Sequence, residues 1–310
     1  QRNSKLTAKA RQSIYIARAD NTIDAYASDW KDFCDWCVQH KLEYFPTRAE
    51  TIVNYINDLA DNAKANTIAR RVSALTENFD AAGLTDNPCR LPLVKDAVRG
   101  IKRMKGTIHG AELGGTPRIA YMLRHIEGHE AEQARDRAIL LIGFYGAMRR
   151  SEIASLHVED LQFSRLGLRI TVRNAKTDKA GQGQVISIPA IEDSEIDAVT
   201  ALQHWLHLSG ITSGPVFRGF TKNKTVRKTA ISDKSVALIV KKHVEAVGMD
   251  PQYFGAHSLR HGFATSAAQH QVDERSIMKQ TRHKSQSVVR KYIDEADGLI
   301  NNPVFKITER

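Results

Sequence analysis

Hydrophobic positions in the first hundred residues recur at helical spacing. Over residues 22–40, Ile23, Tyr26, Trp30, Phe33, Trp36 and Cys37 fall three and four apart and line one face of a helix. Ile52, Tyr55, Ile56 and Leu59 mark a second helix, for which Thr47 is the expected cap. Ile68, Val72, Leu75 and Phe79 mark a third over residues 66–82, with Gly83 as its stop, and a fourth is expected over 88–104. The stretch 106–117 then breaks the pattern with four glycines and a proline, which predicts a domain boundary: residues 1–106 as one domain and 107–310 as the other.

The second half mixes periods. Residues 133–146 read as a buried helix. Residues 168–172 and 184–188 alternate as strands do, and the Gly-, Lys- and Asp-rich segment between them predicts a hairpin with a long tip. Helical spacing returns over 196–208, 232–247, 258–270 and 274–279, and again around Tyr292. The expected fold class is mainly α: a helical N-terminal domain, then a mixed, mostly helical C-terminal domain with a small antiparallel β-sheet.

Charge narrows the partner. The 310 residues hold 45 Lys and Arg against 35 Asp and Glu, a formal net charge of +10, which favours a polyanion such as nucleic acid. Arg90, Lys95, Arg99, Lys102, Arg103 and Lys105 form a basic strip against a single Asp96. Such a strip is either a solvated helix face or a phosphate contact. The three cysteines form no disulfide framework and suit a reducing compartment. Cys34 and Cys37 lie in a helical pattern with no second C-x-x-C, so core packing is expected rather than a zinc site. The N-terminus lacks a signal peptide's apolar stretch, and the longest apolar run, 138–148, falls short of the ~20 residues that span a bilayer. A soluble cytoplasmic protein with no membrane contact is expected.

Phosphodiester strand exchange without metal needs guanidinium forks to carry the phosphoryl charge, a proton donor and a hydroxyl nucleophile. Four segments supply those residue types. In Gly146-Ala147-Met148-Arg149-Arg150-Ser151-Glu152, a glycine closes an apolar helix and Arg149 heads the next, where backbone N–H groups favour an anion and Glu152 can fix an arginine. In His257-Ser258-Leu259-Arg260-His261, helical register puts His257, Arg260 and His261 on one face. The cationic Arg260 between two histidines argues for phosphate over zinc. In the third segment His283 precedes Tyr292 by nine residues, with Arg290 and Lys291 beside the tyrosine to favour its phenolate. In the fourth, Lys176 stands where the first hairpin strand ends and can serve as general acid, with Lys179 as its rival.

The order Arg, Lys, His-x-x-Arg, His, Tyr resembles the tyrosine site-specific recombinase and integrase family. The intervals fit: 108 residues from Arg149 to His257, 23 from Arg260 to His283, and nine to Tyr292. Within the family the layout is closest to Cre recombinase, with no separate arm-binding module expected. The resemblance implies that Arg149 and Arg260 clamp the scissile phosphate, Lys176 protonates the leaving 5′-oxygen, and His257 and His283 bond the phosphate. It makes Tyr292 the nucleophile of a 3′-phosphotyrosyl intermediate and Glu152 the acidic group that orients the site. It further implies a DNA-binding first domain, no metal or other cofactor, and a homotetramer on two duplex sites, joined through the apolar segment 299–307. One departure is Arg282, where many members carry glycine. A type IB topoisomerase and a non-catalytic DNA-binding regulator of the same fold are the alternatives. The DNA target and the outcome (integration, excision, inversion or resolution) are not legible.

Overall fold

The computed structural model describes residues 20–105, 115–173, 183–192 and 194–300. The chain divides into two compact units, Gln1–Ile108 and His109–Arg310.

The first unit is helical: α1 (Asp20–Gln39), α2 (Ala49–Ala60), α3 (Ala65–Ala81) and α4 (Pro92–Lys105). The stripes read from the sequence form its core. Phe33, Ile52, Tyr55, Ile56, Ile68, Leu75 and Phe79 are fully buried. Trp30 meets Phe79 edge-on at 5.3 Å, and Phe33 meets Tyr55 at 5.1 Å, geometry that suits the ring quadrupoles. Cys37 lies in this core, where burial pushes its thiol up to about 11, so it packs as a small hydrophobe. Two expectations need correction. Arg48, not Thr47, stands at the start of α2 and caps nothing with its side chain; the Thr47 hydroxyl is buried with no partner among the described residues. The fourth helix is also broken. Pro88–Arg90 is a 3-10 turn capped by Asn87, Leu91 is extended, and Pro92 opens α4, because a residue before proline is pushed out of the α region.

The second unit holds α5 (Gly115–Arg124), α6 (Glu130–Tyr145), α7 (Arg150–Ala154), β1 (Leu161–Ser164), β2 (Gly167–Val172), β3 (Gln184–Pro189), α8 (Ala198–Ser209), β4 (Arg218–Phe220), β5 (Val226–Ala230), α9 (Asp233–Ala246), α10 (Ala256–Gln269), α11 (Glu274–Thr281) and α12 (Gln286–Ile300). The expected hairpin is β2–β3, with Leu168 opposite Ile188 and Ile170 opposite Ile186, all four buried. The sheet has a third strand, β1, paired antiparallel to β2. It escaped the reading because only Leu161 of its four residues is shielded. Gly167 lets β2 lie close to the end of β3: at φ 141° a Cβ would lie 2.2 Å from the Ile188 carbonyl oxygen. A second hairpin, β4–β5, and helix α5 were also not read from the sequence. Helix α5 starts inside the Gly- and Pro-rich stretch and buries Ile119, Met122 and Leu123.

Helix α10 organises the unit, packing against α5, α6, α11 and α12. It approaches α6 closely at Gly143, where a Cβ would meet Leu259 Cδ1 at 2.6 Å. No helix among the described residues is long and apolar enough to cross a membrane.

Candidate active site

Three chain reversals bring the predicted residues together. The first follows α6. Gly146 ends that helix, and a Cβ there would strike the Ile142 carbonyl oxygen at 2.6 Å. Ala147 then turns left-handed at φ 43° and is fully buried. Arg149 is extended and precedes α7. Its backbone N–H donates to Glu152 Oε2 at 2.8 Å, and its Nη1 donates to Glu152 Oε1 at 2.7 Å. The expectation of an anion seat at this helix head is corrected: α7 has five residues, and the Glu152 carboxylate already takes the Arg149 N–H. Burial alone would raise the Glu152 carboxyl, but Arg282 and Arg149 outweigh it and hold the group below its usual range.

The second reversal opens α10. Gly255 is extended, and its N–H donates to Ser258 Oγ at 3.2 Å. His257 then stands exposed at the rim, while Arg260, one turn on, is 1% exposed. Arg260 Nη1 donates to the Ala147 carbonyl at 2.7 Å, and its Nη2 is buried with no partner among the described residues. Burial, then the nearby Arg149 and Arg282 charges, pushes Arg260 down to about 9, and it stays a cation at neutral pH.

The third reversal joins α11 to α12. Asp273 caps α11. Arg282 ends it left-handed at φ 57°, and His283 follows, half-buried, with an Nδ1 that has no partner among the described residues. The His283 and Tyr292 rings lie 6.5 Å apart and 25° from parallel. The His261 ring lies 5.5 Å from Tyr292 and 4.6 Å from His257. Desolvation lowers His257 and His283 to about 4 each. Next in weight come His261 and Arg260 for His257, and Arg260 and Arg149 for His283. Both are therefore neutral at pH 7.

Tyr292 is 7% exposed. It belongs to a small buried cluster with Ala264, Ala268, Ile277 and Val289, its ring lies 5.5 Å from His261 and 6.5 Å from His283, and it acts electrostatically on Arg260. Its cationic surroundings were expected from Arg290 and Lys291. Both point to solvent instead, Arg290 toward Glu274 at 3.4 Å, because residues one and two apart on a helix do not share a face. A cation that does act on the tyrosine is Arg260, 32 residues away in sequence.

Lys176 and its rival Lys179 lie outside the described residues. Among the described residues, the end of β2 lies beside the site: Thr171, Val172 and Arg173 line one cavity with Glu152 and His157. Arg282 was noted in the sequence only as a departure, yet its side chain enters the cluster. Its Nη2 donates to Glu152 Oε2 at 2.8 Å and to the Ala147 carbonyl at 3.1 Å. In the first unit Lys95, Arg99, Lys102 and Arg103 lie exposed along α4 and Lys105 is half-buried, while Arg90 is tied to Asp80 at 2.5 Å.

Residues 118–298 match the phage integrase family, and residues 13–83 match the phage integrase N-terminal SAM-like domain. The chain is 46% identical over 308 residues to an integrase/recombinase XerD homologue of Selenomonas ruminantium, covering 98% of this chain and 90% of that protein. It is 25% identical to tyrosine recombinase XerC of Rickettsia typhi, over 88% of this chain and 86% of the relative. Its fold resembles the XerH site-specific recombinase bound to a palindromic difH substrate, with a TM-score of 0.67 at 17% identity over 90% of this chain and 80% of that one. It also resembles a lambda integrase dimer bound to a COC′ core site, with a TM-score of 0.62 at 17% identity over 90% of each chain. Matched along its length in sequence and in fold, the protein belongs to the phage integrase family, the tyrosine recombinases, and is an enzyme of site-specific DNA recombination.

Proposed function

We propose that Tyr292 attacks the scissile phosphodiester of a duplex target, forms a 3′-phosphotyrosyl bond and releases a 5′-hydroxyl strand. A P–O5′ bond breaks as a P–O(Tyr) bond forms, so the ester count is unchanged and ATP is not consumed. A partner strand's 5′-hydroxyl reverses the step. Arg149 and Arg260 clamp the non-bridging oxygens, and His257 and His283 each donate a hydrogen bond to them. Lys176 gives the leaving 5′-oxygen its proton, with Lys179 as the alternative donor. Glu152 aims Arg149.

The observation that carries this reading is Arg260: a guanidinium 1% exposed, with Nη2 bonded to nothing among the described residues. Burying such a donor costs free energy unless an anion meets it. Arg149, His257, His283 and Tyr292 all lie close enough to interact electrostatically with Arg260, which supports a shared anion there. Preorganised donors of this kind stabilise charge that develops on the phosphoryl oxygens.

Residues 1–106 serve as the core-binding domain and residues 107–310 as the catalytic domain. Lys95, Arg99, Lys102, Arg103 and Lys105, with Arg90 at the strip's start, face the DNA backbone. The protein works in the cytoplasm as a homotetramer across two sites, and residues from Leu299 onward contact the neighbouring subunit. The buried thiols of Cys37 and Cys89 suit that reducing compartment. The decisive experiment incubates wild-type and Tyr292→Phe protein with a nicked suicide duplex carrying the sequence the wild type selects from a random pool. The wild type yields a covalent adduct and Tyr292→Phe yields none while still binding the duplex. An adduct from Tyr292→Phe would refute the assignment.

A further inference from the structure

Backbone preference alone would put glycine at position 282. The residue ends α11 at φ 57° and ψ 37°, the left-handed region where an L side chain is strained. The side chain must therefore account for the arginine. It is 5% exposed, and it turns inward rather than toward water.

A single atom, Arg282 Nη2, joins two hydrogen-bond systems. It donates to Glu152 Oε2 at 2.8 Å, and Glu152 Oε1 accepts from Arg149 Nη1 at 2.7 Å. It also donates to the Ala147 carbonyl at 3.1 Å, the oxygen that accepts from Arg260 Nη1 at 2.7 Å. Ala147 is itself left-handed. Two strained residues, 135 positions apart, thus meet through one hydrogen bond.

We propose that Arg282 is a positioning residue for strand cleavage, tying the carboxylate that aims Arg149 to the carbonyl that holds Arg260 so that the two guanidinium groups keep a fixed separation. The inference rests on the reading that those two arginines bind the scissile phosphate. Charge supports it. Three guanidinium groups against one carboxylate leave an excess of two positive charges, which matches a doubly negative pentacoordinate phosphate. Arg282 repels Arg149 and Arg260, and Glu152 offsets that repulsion. Holding reacting groups in place matters steeply for rate, since a displacement of about 1 Å can cost on the order of a hundredfold.

The test compares full-length wild type, Arg282→Gly, Arg282→Lys, Glu152→Gln and the Arg282→Gly/Glu152→Gln double variant on the nicked suicide duplex described above. Duplex affinity, single-turnover adduct rate at saturating protein, and melting temperature are read together. Arg282→Gly should stay folded and melt within several degrees of wild type, because glycine relieves the left-handed turn while Glu152 keeps Arg149 as its partner. It should bind duplex within roughly threefold yet form adduct at least about tenfold more slowly, a split that lost folding does not produce. Arg282→Lys should recover part of that rate, since an ammonium still neutralises Glu152 but is not held in place by a rigid guanidinium plane. The double variant should lose less than the product of the two single losses, because both changes break the same Arg282–Glu152 link. A wild-type rate in Arg282→Gly, or losses that simply multiply, overturns the inference. If Arg282→Gly melts well below wild type, Arg282→Lys decides: wild-type stability with a wild-type rate overturns it. Failure of the wild type to form adduct, or an adduct from Tyr292→Phe, removes the underlying reading and the inference with it. A normal wild type, an inert Tyr292→Phe and a fully active Arg282→Gly would sink the inference alone.

Discussion

Arg260 Nη1 donates to the carbonyl oxygen of Ala147 at 2.7 Å, across 113 positions of sequence. This bond fixes which way the guanidinium fork opens. With Nη1 occupied by the left-handed Ala147, the buried Nη2 remains to meet a ligand. A lysine has one donor centre, so it can satisfy the carbonyl or the phosphate but not both in fixed geometry.

Arg260→Lys should therefore lower the adduct rate by about 10²–10³-fold, the usual loss for one preorganised donor. Single-turnover cleavage at saturating protein reads this directly. A loss smaller than tenfold, with folding intact, would deny Arg260 its role at the phosphate.

The histidines make stability depend on pH. His283, half-buried, titrates near 4 in the fold, against about 6.5 for an unperturbed imidazole, and His257 at the exposed rim shifts in the same direction. Between those values the unfolded chain binds more protons than the folded one, so stability rises with pH across that window. Their contribution is complete above about 6.5 and is lost as pH falls toward 4. Thermal melts should therefore drop from pH 7 to pH 4.5, and His283→Asn should flatten that drop. An unchanged slope in His283→Asn would mean that this imidazole is not held neutral. An anion at the site reverses the local sign by favouring the imidazolium, so phosphate binding should strengthen as pH falls over the same window.

How much of this was legible in the sequence follows from the range of each interaction. The stripe Ile68, Leu75, Phe79 declared α3 because a helix face depends on neighbours three and four residues away. Strand β1 was silent because its pairing with β2, not its composition, creates it. At the site, residue types and intervals singled out Arg149, His257, Arg260, His283 and Tyr292, and the fold clusters them. The inward turn of Arg282 and the left-handed Ala147 were hidden, since each is set by a contact with a distant segment. The sequence placed Arg290 and Lys291 beside Tyr292, whereas helical geometry turns them outward.

Helix α10 carries Arg260 and needs close contact with α6. Gly143→Ala would set a Cβ 2.6 Å from Leu259 Cδ1 and 3.0 Å from Ile153 Cδ1. Both neighbours are side-chain tips that can give way, so overpacking should cost about 1–3 kcal/mol rather than abolish folding. Denaturant midpoints measure this. A neutral Gly143→Ala would mean that the two helices can separate freely at this point.

The basic strip divides by what its members touch. Lys102 and Arg103 are exposed on α4, so removing either should weaken duplex binding at all sequences and reduce the slope of log K against log salt by ~1. Arg90 already pairs with Asp80 at 2.5 Å. Arg90→Ala should leave the salt slope less changed. Equal slope losses at all three positions would place Arg90 on the DNA as well.

The choice between Lys176 and Lys179 is a question of proton delivery, and leaving-group chemistry separates it from binding. A general acid contributes about 10²–10⁴-fold when the departing oxygen needs a proton. A 5′-bridging phosphorothiolate leaves as a thiolate of much lower basicity and needs none. Lys176→Ala should therefore cleave the ordinary suicide duplex slowly and the phosphorothiolate duplex at close to the wild-type rate, whereas Lys179→Ala should treat both substrates as wild type does. Rescue of Lys179→Ala instead would move the role to that residue. If neither variant is rescued, the 5′-oxygen takes its proton from a group outside this segment.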